Sequence, residues 1–205
     1  MALSIWLLGP PQVRLDQELV SNLRSDKALA LLAYLAVESD RAHRREKLAG
    51  MLWPDSTEAS ARASLRRALA DVRQAIGDHQ ATPPYLHTTR ETLQFNTDSD
   101  YWLDVEAIAG LADDLAGLEQ AVALYRASFL EGFSVSDAPS FEEWALLKKE
   151  QLERQVLEML GRLATTYERR GEYEHAQRYA WRRVELEPWN EQAQRQLMQL
   201  LAFSG

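Results

Sequence analysis

The 205-residue chain has no cysteine, only nine glycines and seven prolines, and no apolar run near the ~18 residues of a membrane-crossing helix. The missing cysteines exclude disulfides and thiolate metal sites and suit a reducing compartment. Ile5-Trp6-Leu7-Leu8 is too short for a signal peptide and follows no charged segment, so a cytoplasmic location is expected. Phosphate-binding loops, Gly-x-Gly-x-x-Gly, Gly-x-Ser-x-Gly and His-Glu-x-x-His are all missing from the sequence. The four histidines (His43, His79, His87, His175) are scattered without metal-ligand spacing. The carboxylate pairs Asp113-Asp114 and Glu142-Glu143 read as solvated helix faces rather than acid/base pairs. No catalytic residue, metal site, cofactor or small-molecule substrate is expected.

What is present is a soluble composition, 46% hydrophobic and 26% charged, with a net charge of −8. That charge is unevenly spread. Residues 1–98 hold 12 Lys/Arg and 12 Asp/Glu, whereas residues 99–205 hold 11 and 19. Within the neutral half, Arg41, Arg44, Arg45, Lys47, Arg62, Arg66, Arg67 and Arg73 outnumber Glu46, Asp55, Glu58 and Asp71. A basic patch on a neutral domain joined to an acidic one fits a phosphate-binding footprint, and equally a solvated surface.

The first half begins with strand patterns over 3–8 and 13–15, separated by Gly9-Pro10-Pro11. From Ser25 or Asp26 the period becomes helical, with Leu29, Leu32, Ala33, Leu35 and Ala36 as the apolar face. A second helix over 44–53 buries Leu48, Met51 and Leu52 and stops before Pro54. Asp55-Ser56-Thr57-Glu58 reads as a capping box opening a third helix, which ends at Ile76 before Gly77. Its core stripe is Leu65, Leu69, Val72 and Ile76. Arg62, Arg66 and Arg73 form another stripe, at i, i+4 and i+11. Residues 85–95 alternate on both sides of a polar turn, the pattern of a β-hairpin.

Strands, three helices and a hairpin make an α+β winged helix-turn-helix over residues 1–98. In that architecture the third helix enters the major groove and the hairpin wing follows the backbone. Arg62, Ser64, Arg66, Arg67 and Arg73 are then candidate DNA contacts, because arginine forks onto guanine or grips phosphate. The alternative is an exposed helix face whose arginines serve solubility.

Residues 99–205 read as an all-α domain, with helices expected over 105–115, 118–130, 141–170, 173–187 and 191–203. Ser140 with Glu143 reads as a capping box. Leu163, Tyr167 and Gly171 recur 34 residues later as Leu197, Leu201 and Gly205, with Tyr173, Ala176 and Pro188 between them. That spacing is tetratricopeptide-like, with an ordinary helical bundle as the alternative. Stacked helix pairs form concave surfaces that bind protein segments.

Lys27-Ala28-Leu29-Ala30-Leu31-Leu32-Ala33-Tyr34-Leu35-Ala36, Arg44-Arg45-Glu46-Lys47-Leu48-Ala49-Gly50-Met51-Leu52-Trp53-Pro54-Asp55 and Ala63-Ser64-Leu65-Arg66-Arg67-Ala68-Leu69 resemble the antibiotic-regulatory-protein (SARP) type of bacterial transcriptional activator. Residues 121–133 and 195–201 are similar to the bacterial transcriptional activator domain of that family. The resemblance implies a response-regulator-type winged helix followed by tetratricopeptide-like repeats. It also implies binding to direct-repeat, double-stranded promoter DNA in the nucleoid, self-association on tandem sites and recruitment of RNA polymerase. Carried over by position, 62–73 is the recognition helix; Arg44 and Arg45 of the basic patch, at the start of the helix before it, are expected to contact DNA as well. His87, Thr88, Thr89 and Arg90 form the wing tip, and Trp53, Pro54, Asp55, Ser56 and Thr57 form the loop facing polymerase. The wing departs from a strongly basic pattern, since Arg90 is its one full positive charge. At the other end, Leu197, Leu200 and Leu201 are expected to lack a covering helix, as in a domain cut short within a larger regulator. Family members carry an ATPase or further repeats downstream. The competing readings are a protein-interaction adaptor and the input module of an ATPase-type regulator.

Overall fold

A computed structural model describes residues 2–111 and 114–204. Asp113 of the Asp113-Asp114 pair and Gly205 of the repeat pattern lie outside the described residues. The chain divides into two compact units, Met1–Glu106 with Ala127–Lys149, and Ala107–Arg126 with Glu150–Gly205.

The first unit opens with β1 (Leu3–Trp6), β2 (Gln12–Leu15) and β3 (Glu18–Leu19). Along β1, Leu3 and Ile5 are buried while Ser4 and Trp6 are half-buried, the alternation a pleated strand imposes. β1 pairs antiparallel with β2, and β2 with β3 through the two-residue turn Asp16-Gln17, both at positive φ. On its other edge β1 pairs in parallel with β7 (Tyr101–Leu103).

Three helices follow the N-terminal strands. α1 (Asp26–Val37) is nearly all Ala and Leu, good helix formers, and is capped by Ser25, whose Oγ accepts from Ala28 N at 3.2 Å. α2 (Arg45–Leu52) ends at Trp53, the residue before Pro54. α3 (Glu58–Ala75) is capped by Thr57, whose Oγ1 accepts from Ser60 N at 3.4 Å. The cap therefore lies two residues beyond Asp55, where the capping-box pattern places it. Glu58 instead opens the helix, favoured there by the helix dipole. Gly77 follows at φ +65, the left-handed conformation that helix ends favour and that glycine adopts without strain. The expected stripe of Leu65, Leu69, Val72 and Ile76 is buried. β4 (His43–Arg44), β5 (Leu86–Thr88) and β6 (Thr92–Phe95) form an antiparallel sheet in the order β4-β6-β5. Strand platform, three helices and hairpin together are a winged helix-turn-helix.

α4 (Asp104–Gly110) begins with a fully buried carboxylate. Asp104 accepts at 2.9 Å from Leu7 N and Leu8 N, satisfying amides just beyond the end of β1. The same turn of chain is held from the other side. Leu130 N donates to Leu7 O at 2.8 Å, Gly9 N to Ser128 O at 3.0 Å and Glu131 N to Gly9 O at 3.1 Å. Leu130 sits at φ +53, an uncommon conformation for a branched residue, within this hydrogen-bonded clasp. Trp144 closes the region, packing edge-on against Tyr34 and Phe129 and donating Nε1–H to Glu38 at 3.1 Å.

The second unit contains α5 (Leu115–Leu124), most of α6 (Pro139–Arg169), α7 (Tyr173–Leu186) and α8 (Glu191–Ser204). α4 and α5 stop short of the expected 115 and 130. Asp114 caps α5 by accepting from Gly117 N at 2.7 Å, so a new helix begins at Leu115. Residues 128–131 direct their backbone groups to residues 7 and 9, which removes them from a helix. The Ser140–Glu143 capping box does not form. Pro139 already occupies the first helical position, where its missing N–H costs nothing, and Ser140 lies inside the first turn. Glu142 accepts from Val135 N, a structural role in place of the solvated face expected of Glu142-Glu143.

Gly171 adopts φ +73 at the α6–α7 turn, and Ala176 is fully buried between helices, as the repeat pattern expects. α7 and α8 pack as a pair. The expectation that Leu197, Leu200 and Leu201 all lack cover is corrected: Leu197 and Leu200 are buried, and only Leu201, 43% exposed, is not. Tyr167 and Tyr179 both donate to Glu119 Oε1, at 2.6 and 2.8 Å, tying α5 to α6 and α7.

Two outcomes follow for stability. Replacing Asp104 with Ala leaves two buried amides unsatisfied and lowers unfolding free energy by about 2–4 kcal/mol, measurable by urea denaturation. Burial opposes ionisation of Glu38, but Trp144, Lys148 and Arg41 outweigh it and hold its carboxyl below the usual range. Glu38 therefore stabilises the fold above the ordinary carboxylate range, and that contribution is lost as pH falls through its lowered pKa. Thermal unfolding of Glu38→Gln should show a Tm several degrees lower at pH 7, with the difference shrinking on acidification.

Candidate nucleic-acid interface

Four elements carry the basic side chains to one place. Arg44 closes β4 beside the wing strand β6, and Arg45 opens α2. Arg62 and Arg66 lie one turn apart on α3, and Arg90 stands at the wing turn between β5 and β6. All five line one open groove of about 740 Å3, together with Glu46 and Glu91. Arg44, Arg62, Arg66, Arg67 and Arg90 are exposed, so their guanidinium groups can meet a ligand without displacing the core.

Carboxylates already sit among these cations. Arg62 Nη2 lies 2.6 Å from both Glu46 Oε1 and Glu58 Oε1, all on exposed side chains. Exposed ion pairs contribute about 0–1 kcal/mol each, so an anion of higher charge can displace them. Arg67 donates to Ser64 Oγ at 3.0 Å, which accounts for Ser64 as a holder of that arginine.

Arg45 and Arg73 are placed differently. Arg45 is half-buried; its N–H donates to Glu91 O at 2.8 Å and its Nε–H to Thr89 O at 3.0 Å, so it pins the wing turn to α2. Burial and then the neighbouring Arg73 lower its pKa from the ordinary guanidinium value. Arg73 donates Nε–H to Asp78 Oδ2 at 2.6 Å, and Asp78 Oδ1 accepts from Leu86 N at 2.9 Å. The Asp78 side chain is wholly buried. Arg73 thus braces the end of α3 against the first wing strand, and it does not line the groove.

The wing tip is built by Thr89. Its Oγ1 accepts from Glu91 N at 3.1 Å and from Thr92 N at 2.9 Å, locking the turn that exposes Arg90. His87 is exposed, Thr88 half-buried, and neither lines the groove. Trp53 is half-buried with Lys27 Nζ 5.3 Å from its ring centre, while 54–57 are exposed. Among the described residues there is no cluster of three or more metal-ligating side chains. No helix among the described residues is long and apolar enough to cross a membrane.

Sequence reasoning missed Asp78, Glu46 and Glu58 as parts of the site. Glu58 at i−4 from Arg62 was a readable signal for an ion pair. Asp78 was not readable, because only the fold shows it buried beneath β5.

The comparisons with known proteins agree with this geometry. Residues 21–92 match the family model "Transcriptional regulatory protein, C terminal", and residues 106–205 match "Bacterial transcriptional activator domain". The chain thus joins a transcriptional-regulator C-terminal domain to a bacterial transcriptional activator domain, the domain order of the SARP-type regulators it resembles. A solved structure described as "Mycobacterium tuberculosis EmbR in complex with low affinity phosphopeptide" is similar in fold, with a TM-score of 0.71 and 21% identity. The match covers 98% of this chain and 55% of that one, so the chain spans about half the length of this solved neighbour. No curated protein matches it.

Arg73→Ala leaves a buried carboxylate without its cation. The expected loss is about 2 kcal/mol, less than for a fully buried pair because Arg73 keeps some exposure. Hydrogen exchange should quicken at Leu86 and along β5, while the core of α1 keeps its protection.

Proposed function

We propose that the chain is a sequence-specific DNA-binding transcriptional activator whose α3 enters the major groove and whose wing lies along the phosphate backbone. The observation that carries this reading is the convergence of Arg44, Arg62, Arg66 and Arg90 from a strand, the recognition helix and the wing on one open groove. Exposed arginines at i and i+4 on a helix reach successive base edges or flanking phosphates, and a guanidinium forks onto guanine O6 and N7. Arg67 adds a further cation on α3. Arg45 and Arg73 act as positioning residues for the wing. Lone Arg90 suits a wing that grips phosphate and leaves base reading to α3.

In this proposal the exposed 54–57 segment after Trp53 faces RNA polymerase, supported by its position between α2 and α3 and by the family resemblance. Pairing of two copies on tandem half-sites, assisted by the helical domain, completes the reading. The chain then acts in the cytoplasm, on the nucleoid.

The test starts by selecting genomic duplex fragments on the purified chain at physiological salt, where two tandem half-sites are expected. Arg62→Ala/Arg66→Ala/Arg67→Ala is then titrated on a recovered fragment across a salt series. Removing about three phosphate contacts should flatten the log–log salt slope by roughly 2–3, with unchanged helical content because all three side chains are exposed. An unchanged affinity and slope would sink the assignment of α3.

A further inference from the structure

We propose that the second unit binds a peptide segment carrying a few spaced Asp or Glu side chains, in a groove between α6 and α8. The groove measures about 710 Å3, within the size range of ligand sites, and every residue lining it belongs to the second unit. Arg162 and Arg169 of α6 and Arg195 of α8 lie exposed along it, and Arg183 of α7 is set deeper. Glu158 and Glu168 are the acidic side chains beside them. The groove is therefore net positive inside a half of the chain where acids outnumber bases by 19 to 11.

The cations are unclaimed. Among the described residues none of these four arginines forms an ion pair. Arg183 is the sharper case, because its Nε is buried and has no hydrogen-bond partner. Its Nη1 reaches only Gln196 Oε1, at 3.5 Å, a long and weak contact. The guanidinium lies over Gly161, where an added Cβ would come within 3.3 Å of Nη1, so the glycine makes room for it. A buried donor left unpaired costs free energy that an incoming acceptor recovers.

The walls decide the class of ligand. Thr165 and Thr166 on α6 and Gln192, Gln196 and Gln199 on α8 offer donors and acceptors together, the pairing a peptide backbone needs. Glu158 and Glu168 oppose a uniformly charged phosphate backbone but leave room for carboxylates at intervals. Arginine holds each carboxylate by paired hydrogen bonds, which sets register along the segment.

The test pans a displayed library of random 12-residue peptides on the intact chain and measures the selected peptides by fluorescence anisotropy. Enrichment in Asp and Glu is expected, with affinity falling at least tenfold in Arg162→Glu/Arg195→Glu and unchanged in Arg62→Ala/Arg66→Ala. Both substituted groove residues are exposed, so an unaltered Tm confirms that the variant folds. The proposal is overturned by a selected pool without acidic enrichment or by equal affinity for the groove variant. It is also overturned if Arg162→Glu/Arg195→Glu, with α3 intact, abolishes retention of duplex DNA. The peptide enrichment and affinity results do not depend on whether α3 reads DNA, so the two proposals fail separately.

Discussion

The arrangement of the basic groove depends on one buried carboxylate. Asp78 lies beneath the start of β5 and bonds in two directions, to Arg73 at the end of α3 and to the amide of Leu86. A carboxylate in that position is tolerable only while both partners remain, since an uncompensated buried charge is strongly destabilising. The bond therefore fixes the end of α3 relative to the first wing strand. Arg45 repeats the device at the other end of the wing, holding the carbonyls of Thr89 and Glu91. With both ends held, Arg90 and the α3 arginines face a common space as a consequence of backbone geometry.

Bringing five arginines to one groove costs repulsion, and the structure offsets it locally. Glu46 and Glu58 meet Arg62, and Glu91 lies beside Arg90 in sequence and in the groove lining. These are exposed pairs of small net energy, so they relieve the free protein without locking the cations away. The contrast with Arg73 is instructive. The same residue type becomes a structural brace when its partner is buried, and the sequence pattern at i, i+4 and i+11 has no means of marking that difference.

Much of the fold was legible because its elements follow short-range rules. Ser25, Pro54 and Gly77 punctuate the helices by capping and backbone chemistry, and the α3 stripe of Leu65, Leu69, Val72 and Ile76 is buried as its spacing implies. The misreadings came where long-range contacts overrule local preference. Ser128 and Leu130 lie in a stretch of helical periodicity, yet they are held by Gly9 and Leu7, more than a hundred residues away in sequence. Ser140 and Glu143 have capping-box spacing, but Pro139 is already helical and moves the true start two residues earlier. Leu200 reads as uncovered from the repeat register, whereas the packing of α8 on α7 buries it. In the site, residue types were readable and their division of labour was not, because burial decides which arginine braces and which reaches out.

The overall charge of −8 illustrates why electrostatic reading must be local. At physiological ionic strength a charge is screened within about 8 Å, so a phosphate or carboxylate in a groove responds to the groove's own lining. By that measure the groove on α3 presents five arginines against two glutamates, and the groove on α6 and α8 four against two. A chain acidic on average is thus basic in both of these grooves, and averaging charge over the whole molecule hides the fact.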